Sequence, residues 1–125
     1  MARNTITIYS NIAVSSCSGS GPTYTVNYGS SVANVQVGDH ITAYKMEPGA
    51  GAHGGAGTDI STYTYLVTGI TDADTLTIKY ITDSNGDGDD SPCDLPSGTG
   101  SSGSPNKAPH TFYRDLGSAF LMFVD

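Results

Sequence analysis

The stretch STYTYLVTGITDADTLTIKYIT, from Ser61 to Thr82, constrains the fold more than any other part of the chain. Its two halves, residues 61–69 and 74–82, alternate apolar and hydroxyl-bearing side chains, and a period of two places them on opposite faces of a strand. The short polar connection Ile70–Ala73 suits a β-hairpin. Over the whole chain Val and Ile together number 15 against five Leu, and eight Tyr join them, a mixture that packs on a pleated sheet better than along a helix face.

The same reading extends to other segments. Thr5–Tyr9 alternates with Ile6 and Ile8 on one face, and Tyr24, Val26 and Tyr28 alternate with Thr23, Thr25 and Asn27. Two short strands are expected at 32–37 and 41–46, turned at Gly38-Asp39, and a buried final strand at 120–124 carrying Phe120, Met122 and Val124. Asn11–Gly21 is small and polar and reads as connection. Two Gly-rich loops interrupt the strands. Residues 47–60 hold few anchoring side chains, and residues 83–109, acidic and then rich in Ser, Gly and Pro, have too little apolar surface to order alone and read as a surface insertion. With 125 residues there is room for one domain, so the expectation is an all-β, single-domain β-sandwich or small barrel of about seven or eight short strands.

Charge narrows the partners. The net charge is -7, and the five cations, Arg3, Lys45, Lys79, Lys107 and Arg114, are scattered singly, which argues against nucleic acid. No apolar run approaches the roughly 18 residues a helical membrane span requires, and the N-terminal segment does not read as a secretory signal. Five of the twelve acids lie between Asp83 and Asp94, leaving seven against five bases elsewhere, a framework with little self-repulsion against packing on copies of itself.

That acidic loop carries the most specific motif. Asp83, Asn85 and Asp87 stand at the first, third and fifth positions, Gly88 at the sixth, Asp89 at the seventh and Asp94 at the twelfth, the oxygen-ligand order of an EF-hand-type Ca2+ loop. The resemblance covers these residues alone, lacks flanking helices, and has Asp94 where a longer Glu normally chelates. The competing reading is an acidic solvated loop. Cys17 and Cys93 have no metal-ligand spacing, and both a disulfide and two independent thiols are open to them.

Catalytic readings are poorly supported. The Gly49/Gly51/Gly54 and Gly98/Gly100/Gly103 spacings match a dinucleotide fingerprint by letter only, without the strand and helix it requires. His40, His53 and His110 have no local partner and read as surface or turn residues, and no nucleophile elbow is present, so an enzyme is not expected. Tyr24, Tyr28, Tyr63 and Tyr65 stand at alternating strand positions. They read either as an exposed aromatic face for a glycan or protein partner, or as a core boundary with wet hydroxyls.

At VQVGDHI, residues 35–41, and YLVTGITDADTLTI, residues 65–78, the chain resembles small β-rich virion proteins of tailed bacteriophages. The resemblance implies a compact barrel or sandwich and a non-enzymatic structural subunit (cement, connector or tail protein) made in the host cytoplasm. Its partners would be copies of itself and other structural proteins. Strand addition through Ile6 and Ile8, or through Phe120, Met122 and Val124, is the expected joint. An extracellular filament or surface-layer subunit and a Ca2+-dependent carbohydrate-binding module are the alternatives.

Overall fold

A computed structural model describes residues 4–47, 59–84, 86, 88–95 and 107–116. Seven strands form: β1 (Thr5–Ile12), β2 (Ser16–Ser18), β3 (Thr23–Asn27), β4 (His40–Glu47), β5 (Asp59–Asp72), β6 (Thr75–Asp83) and β7 (His110–Asp115). All pairings are antiparallel, in one sheet of order β1-β7-β4-β5-β6-β3-β2, and no helix occurs among the described residues. The all-β expectation holds, and the strands make a single sheet that is not closed into a barrel.

The sheet is nonetheless rolled. Laid flat, seven strands about 4.8 Å apart would put their two edges roughly 29 Å apart. Yet the edge strands β1 and β2 are joined by residues 13–15 alone, and the step from Ile12 to Ser16 reaches at most about 14 Å. The edges therefore meet at a corner, leaving a seam. Contacts cross it: Tyr28, just past β3, packs against Phe112 of β7 at 5.2 Å between ring centroids, and the Asn34 amide donates to the Tyr9 hydroxyl at 3.2 Å.

Inside the roll lie Tyr24, Val26, Tyr28, Ile41, Ala43, Tyr63, Tyr65, Val67, Leu76, Ile78 and Phe112, all buried. Their sequence neighbours project outward, as the two-residue period requires, and are mostly threonine. Thr111, Thr42, Thr64 and Thr82 stand directly opposite one another across β7, β4, β5 and β6. On this outer face the charges are Lys79 and the strand-end carboxylates Asp72 and Asp115 among the described side chains.

Several expectations change. Residues 32–37 are not a strand: Val32 and Val35 are both buried, three apart, on a turn closed by Val35 N donating to Val32 O at 3.0 Å, and Val37 is 61% exposed. In the polar connection, residues 16–18 pair with β3 and add β2. The β5–β6 hairpin extends past Ile70 to a two-residue turn at Ala73-Asp74, where Asp72 Oδ1 accepts from the Asp74 amide at 3.1 Å. The strand expected at 120–124, with Phe120, Met122 and Val124, and most of the glycine loop 47–60 lie outside the described residues.

The stretch 83–109 is not a peripheral insertion where it is described. Leu95 and Ala108 are fully buried and joined through Ala108 N to Leu95 O at 2.7 Å. A covalent tie supplies what apolar surface alone lacks: Cys17 and Cys93 form a disulfide with Cα atoms 5.7 Å apart, inside the range such a bridge requires.

Candidate functional site

The described residues between 83 and 95 meet four tyrosines at one end of the roll. Alternation in β3, β5 and β6 turns Tyr24, Tyr63, Tyr65 and Tyr80 inward, and Tyr63, Tyr65 and Tyr80 form a ring cluster with centroids 6.1 to 6.3 Å apart. Their hydroxyls donate to the acidic segment. Tyr24 donates to Asp89 Oδ1 at 2.7 Å, Tyr63 to Asp90 Oδ2 at 3.1 Å, Tyr65 to the Asp90 carbonyl at 2.9 Å and Tyr80 to Asp83 Oδ1 at 2.5 Å. Asp83, at the end of β6, also accepts from the Gly88 amide at 3.1 Å and faces the Ser61 hydroxyl at 3.5 Å.

This packing requires glycine at position 21. Gly21 has φ 83°, and a Cβ there would stand 2.5 Å from both Asp89 Oδ2 and the Tyr24 hydroxyl, so a side chain would strain the backbone and force the bonded pair to shift.

The electrostatics hold the Tyr24, Tyr65 and Tyr80 hydroxyls protonated. Burial raises the Tyr24 pKa above its ordinary value, aided by the Asp89 bond and nearby carboxylates. Burial likewise raises Tyr65, while for Tyr80 the bond to Asp83 is the larger cause and the pKa is pushed up to about 12. The folded state therefore holds the Tyr80 proton after an unfolded chain would release it near pH 10. Its contribution to stability is complete below pH 10 and is lost as pH rises from 10 to about 12. Tyr80→Phe should lower stability by about 1–2 kcal/mol at pH 7, by leaving an Asp83 oxygen less satisfied, and should flatten the decline above pH 10. Urea denaturation of both proteins at pH 7 and pH 11 measures each effect.

The tyrosines thus do not form the exposed aromatic face considered from the sequence. Tyr24, Tyr28, Tyr63 and Tyr65 are all buried, with hydroxyls bonded inside the protein.

Of the calcium-loop residues, Asp83 and Asp89 are turned toward tyrosines, Asp94 is exposed, and Asn85 and Asp87 lie outside the described residues. Among the described residues no three His, Cys, Asp or Glu side chains converge as metal ligands do. A cation joining this loop would share its oxygens with the tyrosine hydroxyls. The two Gly-x-Gly-x-x-Gly matches and His53 also lie outside the described residues. His110, expected at a surface or turn, is instead completely buried.

One constellation escaped the sequence reading. Asp39, 2% exposed, receives both prongs of the Arg114 guanidinium, Nε to Oδ1 at 2.7 Å and an Nη to Oδ2 at 2.8 Å. The Gln36 amide also donates to Asp39 Oδ2 at 2.8 Å, and Arg114 donates to the Asn34 carbonyl at 3.0 Å. The Asp39 bond raises the Arg114 pKa further. The available signal was parity: Arg114 follows His110 and Phe112 at two-residue steps, on the inward side of β7.

No protein-family model, curated protein or solved structure matches the chain.

Proposed function

We propose that the chain is a non-enzymatic structural subunit that assembles with copies of itself and with other structural proteins, as a phage-type virion component. The observation that carries this reading is the open edge of β1. Among the described residues β1 pairs only with β7. Leu116 N donates to Asn4 O at 2.6 Å, so by the alternation of an antiparallel ladder the backbone groups of Asn4 and Ile6 face β7 and those of Thr5 and Thr7 face outward. Register shifts after Thr7 and Tyr9, with Asn11 at φ 54°, break the edge beyond that point, as bulges do where edges must not pair indiscriminately. The joint is thereby confined to residues 5–7, where a strand from a neighbour can add. Ile6, 45% exposed, would be covered by it, while Ile8 lies in the first irregularity. The weakly charged threonine face supports the same reading, since it sets little repulsion against a packed neighbour.

The disulfide favours a second reading, a subunit of an extracellular filament or surface layer, because such bonds persist in oxidising surroundings.

Both readings are tested by size exclusion and negative-stain microscopy of the purified full chain, with Thr7→Pro as the variant. Proline removes an outward N–H and leaves the β7 ladder intact. Regular particles or filaments are expected from the parent and monomers of unchanged melting temperature from the variant. A strictly monomeric parent would sink the reading; assembly that survives Thr7→Pro would exclude β1 as the joint.

A further inference from the structure

His110, the first residue of β7, is completely buried, and only one of its ring nitrogens is bonded. Nδ1 meets the Tyr28 hydroxyl at 2.8 Å, while Nε2 is buried without a partner. Between β7 and β3 in the sheet stand β4, β5 and β6. The bond from His110 to Tyr28 therefore does not follow a ladder; it crosses the interior and fastens the β1–β7 wing to the β3 wing at the seam. Tyr65 of β5 stacks on the imidazole at 6.0 Å, Tyr28 meets it edge-on at 5.4 Å, and Phe112 lies 6.5 Å away on its own strand. Its ladder neighbours are Ala43 of β4 and Ile12 of β1.

A neutral imidazole tolerates this setting; an imidazolium does not. The charged ring carries two N–H donors, and here one of them would point into apolar surroundings. The titratable groups packed against the ring are Tyr28 and Tyr65, both held protonated by burial. Burial alone lowers the His110 pKa, to about 3. An opened molecule, with His110 in water, takes up its proton near pH 6.5.

We propose that His110 is an acid-sensitive latch: a proton taken up in the opened molecule keeps the ring from reseating on Tyr28, and so parts the β1–β7 wing from β3. The sign follows from the lowered value. Between about pH 6.5 and 3 the open form holds a proton that the closed form lacks, so closure weakens by up to about tenfold for each unit of acidification, and is unaffected by this residue above pH 7. The inference does not depend on the self-assembly reading.

The test compares the parent with a His110→Phe/Tyr28→Phe double variant, in which both members of the polar pair are removed together. Hydrogen-exchange protection is measured from pH 7 to pH 4, with exchange rates corrected for intrinsic pH dependence. In the parent, β7 and β3 amides should lose protection by roughly 100-fold over the two units from pH 6 to pH 4, ahead of the β5–β6 hairpin. The double variant should lose at least tenfold less. His40 and His53 remain in both proteins, so the difference isolates the latch. An equal loss in the two proteins would overturn the proposal, as would simultaneous loss in the hairpin. Should the double variant fail to fold, the His110 ring in the parent is followed by NMR: a resonance that stays neutral down to pH 4 in the closed form supports the latch, and ordinary titration near pH 6.5 refutes it.

Discussion

Replacing both Cys17 and Cys93 by alanine should lower the unfolding free energy by about 4 kcal/mol. The bond spans 76 residues of sequence, and a cross-link of that span removes about that much loop-closure entropy from the unfolded ensemble. The native side adds a second cost. Cys17 lies on the three-residue strand β2, and Cys93 sits between the Asp89–Asp90 pair that receives the tyrosines and the buried Leu95. Without the bond, the segment is held by the tyrosine bonds to Asp89 and Asp90 and by buried Leu95. Urea denaturation with and without reductant measures the effect. A loss below about 1 kcal/mol would mean that the tyrosine–carboxylate bonds, not the disulfide, hold residues 88–95.

Asp39→Ala should cost about 3 kcal/mol. Asp39 is almost wholly buried while the Arg114 side chain retains 26% exposure, so the loss falls at the low end of the range for breaking a buried pair. Arg114→Ala should cost at least as much, because the stranded carboxylate is the more deeply buried partner. The double variant should be less destabilised than the sum of the two, since neither charge is then left alone. A double-mutant cycle by chemical denaturation reads this directly; strict additivity would show that the two groups contribute independently.

The β5–β6 hairpin was legible because a two-residue period needs no knowledge of what lies across the sheet. The orientation of its tyrosines was harder to read, since Thr-Tyr-Thr-Tyr alternates equally well with either residue inward; burial of Tyr63 and Tyr65 is decided by the roll of the sheet. β2 was invisible for a related reason. Ser-Cys-Ser has little strand preference, and its conformation comes from pairing with Thr25, Val26 and Asn27. At residues 32–37 valines looked like an alternating strand, whereas the buried pair Val32 and Val35 is spaced for a turn.

The acidic loop shows how one spacing serves two chemistries. Oxygens arranged to converge on a cation can also converge on hydroxyls, and only the placement of Tyr24, Tyr63 and Tyr80 distinguishes the two. The Asp39–Arg114 pair, 75 residues apart, becomes visible only once β7 is known to lie beside β4.

The position of β1 beside β7 also orders events in time. Among the described residues the first strand has its only ladder with the last, and Asn11 and Thr111, bonded to each other, are 100 residues apart. Pairs of such separation form late, because a long loop must be closed before any of their contacts can repay it. As the polypeptide emerges from the ribosome, β5 and β6 can pair at once, then β4 and β3 on either side. Residues 5–12 must wait unpaired until 110–115 have been made. During that interval both edges of β1 are open, including the backbone groups of Asn4 and Ile6 that β7 later takes.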